Sequence, residues 1–294
     1  MNQRLYSLLW LLGTILVFFA GCKTSETAAV KSENSLLWKI EGKNLKTPSY
    51  VLGTIHLLPQ KDFFLSETMK LALASTQQVV LELDMDDPAM GMNMLQNASM
   101  SEGNTLDKLL SEGDYQQLDA IFRKSTGVGL EAFNKWQPML VASVVMQQMM
   151  DNQTASYEMT LVRMAQEAQK EVKGLESIQE QTEAMATISY PQQAKYLSEI
   201  LNGADKQKAI FGKMVELYKS QNINALLDYI VAQSGGIDFS TVLLNERNHK
   251  WIPKIALFAA EKPTFFAVGA GHLPGKDGVL ALLRKAGYRV TAVL

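Results

Sequence analysis

The chain has 294 residues, with 28 Lys and Arg against 30 Asp and Glu, three His and a single Cys. Because 47% of the residues are hydrophobic and 20% are charged, disorder, collagen and coiled coil are excluded as the main state. The net charge of −2 gives no reason to expect a nucleic-acid partner, and one Cys excludes an internal disulfide framework and a Cys-rich zinc site.

The N-terminus has the pattern of a signal peptide. Residues 8–20 form an apolar run of about 13 residues, too short to span a bilayer comfortably. Small residues then precede Cys22. This pattern resembles a bacterial lipobox, the site at which a signal peptidase cuts before a lipidated Cys. We predict a signal peptide over residues 1–21 and a polar tether over residues 22–35. The alternative is an uncleaved N-terminal anchor with an incidental Cys.

Acylation of Cys22 has a consequence for localisation. Two or three acyl chains hold a protein stably on a membrane, whereas one chain alone is marginal. We therefore expect a lipid-anchored protein of the bacterial cell envelope, in the outer membrane if the cell has two membranes.

The first elements after the tether favour strands around one helix. Residues 36–41 and 49–53 are typical of a hairpin, and residues 66–77 have the apolar spacing of a helix. Residues 78–83 predict a buried strand. Residues 86–104, rich in Met, Asn and Gly, show no clear period.

The middle of the chain is typical of helices from residue 105 to about residue 233. Asp114 is expected to cap one helix, and Pro138 fits the first turn of another. A short strand over residues 171–174 interrupts this helical stretch.

The C-terminal part predicts helix, strand, helix and strand in turn, over residues 240–260, 263–269, 278–286 and 288–294. The simplest assembly is a mixed α/β fold whose central sheet is formed from both chain ends. We expect a single domain over residues 36–294 with a helical insertion or cap at about 105–235.

Two of the three His follow the same local pattern, a strand that runs into Gly-x-x-His. These are Gly53 to His56 and Gly269 to His272. Each His falls just beyond the carboxyl end of a predicted strand, the edge at which open α/β sheets bind ligands. The predicted strand over residues 78–83 contains Glu82, and a buried carboxylate is costly unless it is paired or bound to a metal. If these strands are neighbours, His56, Glu82 and His272 converge on one rim.

Two neutral imidazoles and a carboxylate are a common ligand set for a divalent catalytic metal. Such a metal lowers the pKa of a bound water toward neutrality and activates it for attack on a carbonyl. Glu82 could serve as a metal ligand or as a general base. Asp84 is the alternative, because it lies two residues further along and so on the same face of the predicted strand. Taken separately, each His fits a structural role better than a functional one, and it is the pair of motifs that favours a site.

Two further charged positions have both a functional and a structural interpretation. Arg247 and Asn248 lie in a polar run before His249 on a predicted helix, which indicates a solvated face or an Arg directed at an acidic group of the site. Glu176 follows the short predicted strand and fits either a partner of the site or a charge at a helix N-terminus.

Together these motifs resemble the TraB/GumN family, which includes the Tiki proteases. The most specific stretch is VGAGHLPGKDGVLALLRKAGYRV near the C-terminus. The resemblance covers roughly residues 36–84, 157–180 and 240–294. It implies a fold similar to erythromycin esterase-like and ChaN-like proteins, with an α/β core and a helical insert.

The resemblance also implies a metal-dependent protease that favours manganese or cobalt, with zinc as a further option. It places His56, Glu82 and His272 at the metal. It places Glu176, Arg247 and Asn248 nearby as further catalytic residues. Tyr157 and Glu158 depart from the family's Asp-containing helix start, so the resemblance assigns Glu158 no role.

Three functional hypotheses follow. The first is a lipid-anchored metal-dependent hydrolase, with a peptidase as the leading case, acting on a peptide or a small ester or amide. The second is a non-catalytic envelope protein that binds haem or a peptide at the same rim. The third is an envelope factor with a vestigial site. The sequence predicts no oligomeric state.

Overall fold

The computed structural model describes residues 34–101, 103–149, 154–234, 238 and 240–294. The predicted signal peptide, Cys22 and nearly all of the predicted tether lie outside these residues. Ser35, placed in the tether by the sequence, is fully buried, and its hydroxyl donates to backbone carbonyls of Leu37 and Val293. In the part of the chain that the structure describes, no helix is both long and apolar enough to cross a bilayer.

A six-stranded sheet forms the centre of the fold. Its strands are β1 (Leu37–Glu41), β2 (Ser49–Thr54), β4 (Gln78–Leu81), β6 (Glu171–Gly174), β7 (Thr264–Gly269) and β8 (Arg289–Val293). They lie in the order β6-β4-β7-β2-β1-β8. Strands β6, β4, β7 and β2 run parallel, whereas β1 is antiparallel to both β2 and β8. A separate antiparallel pair joins β3 (Leu58–Pro59) to β5 (Thr154–Ala155). The mixed sheet built from both chain ends is confirmed.

The inner parallel strands β4 and β7 are covered on both faces, which explains their largely apolar sequences. Every residue of β4 is buried, and five of the six residues of β7 are buried. Strand β4 ends at Leu81, so Glu82 lies just beyond the strand and not within it. The register pairs Leu81 with Gly174 and Thr54 with Gly269, which aligns the carboxyl ends of neighbouring strands.

The helices cover most of the remaining described residues. They are α1 (Glu67–Ala74), α2 (Met90–Asn97), α3 (Leu106–Leu109), α4 (Glu112–Thr126), α5 (Pro138–Met149), α6 (Tyr157–Glu167), α7 (Ile178–Ala186), α8 (Tyr190–Asn202), α9 (Ala204–Lys219), α10 (Ile223–Ala232), α11 (Glu246–Glu261) and α12 (Val279–Lys285).

Three local predictions need correction. The stretch over residues 86–104, for which the sequence shows no clear period, contains helix α2, and none of the residues of this helix is buried. Helix α4 is capped by Ser111, whose hydroxyl accepts from the backbone N–H of Asp114, because the helix begins earlier than predicted. The helix predicted over residues 240–260 is a π-helical segment, Ser240–Asn245, followed by α11.

The helical middle of the chain packs mainly into two hydrophobic cores, and a small third cluster joins Met139 and Ile188 to Leu243. Helices α6, α9 and α10 pack on the main core with the sheet, and Tyr157 and Tyr218 are fully buried there. Helices α3, α4, α5 and α8 surround a core of their own, with Leu118, Phe122 and Leu197 at its centre. The helical middle region that the sequence predicts is confirmed.

Candidate active site

Four neighbouring parallel strands end at one edge of the sheet, and each is followed by a polar side chain. His56 lies two residues after β2 and Glu82 directly after β4. Glu176 lies two residues after β6, and His272 ends the short 3-10 turn after β7. Because the strands are adjacent in the sheet, these side chains meet although they are distant in sequence.

The last residue of β7, Gly269, marks the point where the two imidazoles and the carboxylate converge. A β-carbon there would lie 3.3 Å from Glu82 Oε1, 3.6 Å from His272 Cδ2 and 3.8 Å from His56 Nε2. The backbone N–H of Gly269 donates to Glu82 Oε1 at 2.7 Å, and that oxygen is 3.8 Å from His272 Nε2. A side chain at Gly269 would occupy the space that these groups surround.

Arg247, near the start of α11, joins two of the carboxylates. Its Nη2 donates to Glu82 Oε2 and to Glu176 Oε1, both at 2.6 Å, and its Nε donates to both oxygens of Glu176 at 3.1 Å. Its Nη1 donates to the carbonyl of Leu243 in the π-helical segment. Trp251 stacks against the guanidinium and donates from its indole to Glu176. Arg247 is only 8% exposed, so this is a buried ion-pair network.

This network decides between the interpretations left open by the sequence. Arg247 is directed at site carboxylates and does not belong to a solvated helical face. Glu176 is buried, and the cap of the following helix is Ser177, so Glu176 is not a solvent-exposed charge at a helix N-terminus.

The orientation of His272 is fixed by Asn248. Asn248 Nδ2 donates to backbone carbonyls of His272 and Asp277, so its Oδ1 is the acceptor that lies 2.7 Å from His272 Nδ1. This assigns the proton to Nδ1 and leaves Nε2 as an acceptor, 3.3 Å from Arg247 Nη1. Burial lowers the pKa of His272 to about 3, despite the attraction of Glu82 for the charged ring. The ring is therefore neutral at pH 7.

Glu82 remains ionised in this environment. Burial alone would raise the pKa of Glu82. Two nearby positive charges outweigh this effect, that of His272 when its ring is protonated and that of Arg247, and they lower the pKa of Glu82 to about 2. Its two oxygens are both engaged, one by Arg247 and one by the backbone of Gly269.

His56 reaches the same point from the open side of the rim. Its Nδ1 lies 3.2 Å from Glu158 Oε1, which also accepts from the hydroxyl of Thr54. Desolvation of the ring by the surrounding groups is the largest single effect and lowers the pKa of His56. The hydrogen bond to Glu158 and the negative charge of Glu82 outweigh it and raise the pKa of His56 to about 9.

Two other candidates from the sequence do not join the site. Burial, together with the neighbouring carboxylate of Asp86, raises the pKa of Asp84 to about 6. His249 lies largely exposed and pairs with Asp277. Cys22 lies outside the described residues.

Two residues of the site were missed by sequence reasoning. Glu158 is the partner of His56, and the available signal was an acidic residue in the first turn of a helix capped by Ser156. Trp251 lies four residues after Arg247 on the same helix, so their shared face follows from helical spacing alone.

The donor set suits a divalent cation in kind and in charge. Both imidazoles have Nδ1 held by an oxygen, the usual arrangement behind a metal-binding Nε2. With its pKa near 9, His56 is protonated at pH 7 in the metal-free protein, so a metal would have to displace that proton from Nε2. With both imidazoles then neutral, three carboxylates (Glu82, Glu158 and Glu176) and one guanidinium would carry a net charge of −2, which a divalent ion would balance. Among the described residues, no group of three or more His, Cys, Asp or Glu side chains is arranged as a ready-made metal site.

The fold and the site define a protein with an α/β core and a paired Gly-x-x-His rim. The sequence profile described as the TraB/PrgY/gumN family matches residues 36–292. The chain belongs to this family.

Curated relatives are distant but cover most of the chain. Metalloprotease TIKI2 of Danio rerio is 21% identical over 88% of this chain and 61% of its own length. Metalloprotease TIKI1 of Danio rerio is 23% identical, over 92% of this chain and 65% of its own. Metalloprotease TIKI1 of Homo sapiens is 24% identical, over 92% and 64%. The chain thus spans less than two thirds of the length of these relatives, and no solved structure matches it.

Proposed function

We propose that this chain is a metal-dependent hydrolase whose metal is held by His56, Glu82 and His272. The observation that carries this proposal is the convergence of His56 Nε2, Glu82 Oε1 and the His272 ring on the space beside Gly269. Two neutral imidazoles and a carboxylate are a ligand set that leaves positions open for water and substrate.

Each polar residue around this set has a distinct task. Asn248 holds His272 so that its Nε2 faces Glu82. Glu176 holds Arg247, which keeps a positive charge beside Glu82. Because both oxygens of Glu82 are already engaged, Glu82 suits a ligand better than a mobile proton carrier. When bound, the metal would supply an activated water and polarise a carbonyl oxygen.

A peptide is the substrate class we propose. The support is the name shared by the relatives, Metalloprotease, together with family membership. The residues themselves suit hydrolysis of an ester or an amide equally. Manganese or cobalt is the proposed metal, with zinc as the comparison in every assay.

We further propose that the protein is lipid-anchored through Cys22 in a bacterial cell envelope, in the outer membrane where there are two. The support is the run of small residues before Cys22 after an apolar segment. Metabolic labelling with an alkyne fatty acid would test it. We expect label on the wild type and none on Cys22→Ala, which should also leave the membrane fraction. Equal labelling of both proteins would contradict the anchor.

The metal proposal is tested by titration of purified protein with Mn²⁺, Co²⁺ and Zn²⁺, followed by digestion of a peptide library read by mass spectrometry. We expect one bound metal per chain and new peptide ends in the wild type. Both should be lost in His56→Ala and His272→Ala. The matched control is His249→Ala, which removes the third His, outside the site.

Two outcomes would overturn the proposal. The first is a wild type that binds none of the three metals, or that binds them as well after His272→Ala. The second is a Soret band on haem addition that His56→Ala abolishes, in a protein without metal-dependent cleavage. That result would support a haem-binding protein at the same rim.

A further inference from the structure

Glu158 lies next to His56 because of two separate features of the fold. The β3–β5 pair joins Leu58 to Ala155, and this contact fixes the loop after β2 against the start of α6. His56 precedes the first strand by two residues, and Glu158 follows the second by three. Their meeting is therefore set by backbone pairing and not by chance contact of long side chains.

The carboxylate of Glu158 is itself held in place. Thr54 donates to Oε1 at 2.8 Å, and Ser156 donates to Oε2 at 3.0 Å. The side chain is 14% exposed and lies in the first turn of α6, where the helix dipole favours a negative charge. A side chain with both oxygens engaged has a fixed direction and can act as a template for its neighbour.

His56 has no comparable support of its own. Its side chain is 69% exposed, whereas His272 is 4% exposed and packs against Trp251. A free imidazole on an open rim would sample several rotamers. The hydrogen bond from Nδ1 to Glu158 restricts it to orientations such as the one seen, in which Nε2 lies at the space beside Gly269.

We infer that Glu158 is a positioning residue of the site, which holds the exposed His56 with Nε2 directed at the metal position. This inference rests on the proposed function. It also gives the two imidazoles different supports, a charged carboxylate for His56 and a neutral amide, Asn248, for His272. Partners of this kind, behind a ligand, typically change metal affinity by about 10- to 100-fold.

The test compares Co²⁺ affinity by calorimetry in the full chain and in variants. We expect Glu158→Ala to weaken binding by about 10- to 100-fold. Glu158→Gln, which keeps an acceptor and the side-chain volume, should recover part of this loss and also covers the case in which the alanine variant fails to fold. The matched control is Glu167→Gln on the same helix, an exposed residue that pairs with Arg163, and it should bind Co²⁺ as the wild type does.

A double mutant separates a positioning role of Glu158 from a general effect of its loss on the fold. In His56→Ala, a further Glu158→Ala change should have no additional effect on Co²⁺ affinity, because the residue through which Glu158 acts is already gone. Equal losses in both backgrounds, or wild-type affinity in Glu158→Ala, would overturn the inference.

NMR of the metal-free protein tests whether Glu158 orients His56 without depending on metal binding. We expect a slowly exchanging Nδ1–H signal of His56 in the wild type and in Glu167→Gln, and its loss in Glu158→Ala. If the wild type binds no Co²⁺ but shows this signal, the metal proposal fails while Glu158 still orients His56. If the signal persists in Glu158→Ala, the positioning role is refuted.

Discussion

Replacement of Arg247 by Met should be among the most destabilising single changes in the described chain. Met has an unbranched side chain that can occupy much of the arginine stem's space, so the main loss is the guanidinium. Arg247 makes hydrogen bonds to Glu82, Glu176 and the carbonyl of Leu243. Without it, two buried carboxylates lack their counter-charge.

The size of the effect follows from that burial. Glu82 and Glu176 are each 8% exposed, so neither can recover its hydration when the pair is broken. Removal of one partner from a buried ion pair typically costs about 3–5 kcal/mol, because a charge remains buried and uncompensated. For a chain of this size, each kcal/mol lowers Tm by about 2–4 °C, which gives a fall of about 6–20 °C.

Differential scanning calorimetry of the metal-free proteins measures this fall. The matched control is Arg123→Met. Arg123 also pairs with two carboxylates, Asp119 and Glu131, but on the surface, and we expect no measurable change in its Tm. Addition of Glu82→Gln and Glu176→Gln to Arg247→Met should restore part of the loss. A fall in Arg247→Met no larger than that in Arg123→Met would refute the reasoning.

Three further predictions concern the site and one helix end. Gly269→Ala should fold but bind Mn²⁺ at least tenfold more weakly, because its β-carbon lies 3.3 Å from Glu82 Oε1; calorimetric titration measures this, and unchanged affinity would contradict it. Mn²⁺ at about 100 times its Kd should stabilise the wild type by about 2.7 kcal/mol in urea unfolding, and His272→Ala should abolish the gain. Lys170→Met should cost roughly 1 kcal/mol in the same assay, because the ammonium donates to the carbonyl of Leu73 at the end of α1; an unchanged midpoint would show that this cap is dispensable.

The sheet edge could be predicted from the sequence because its signals are local. Each Gly-x-x-His follows an apolar strand, and the rule that parallel strands align their carboxyl ends then places His56 and His272 together. Glu82 followed from the cost of a carboxylate in an apolar run. These arguments need neither loop conformations nor helix packing.

The rest of the site depends on contacts that leave no local signal. Arg247 has the same neighbours in the sequence whether its helix face meets water or carboxylates, and only packing decides. Glu158 reaches His56 through the β3–β5 pair, in which each strand has only two residues. Such short strands carry no periodicity, so the sequence could not predict this pairing or the contact it creates.

The separate core within helices α3, α4, α5 and α8 has a consequence for how this protein can diversify. Those helices bury their apolar side chains mainly against one another, so sequence drift or length change among them need not disturb the strand ends. Selection could therefore reshape this part of the chain while the chemistry at the sheet edge stays as it is. Relatives with closely similar centres could then differ widely in these four helices.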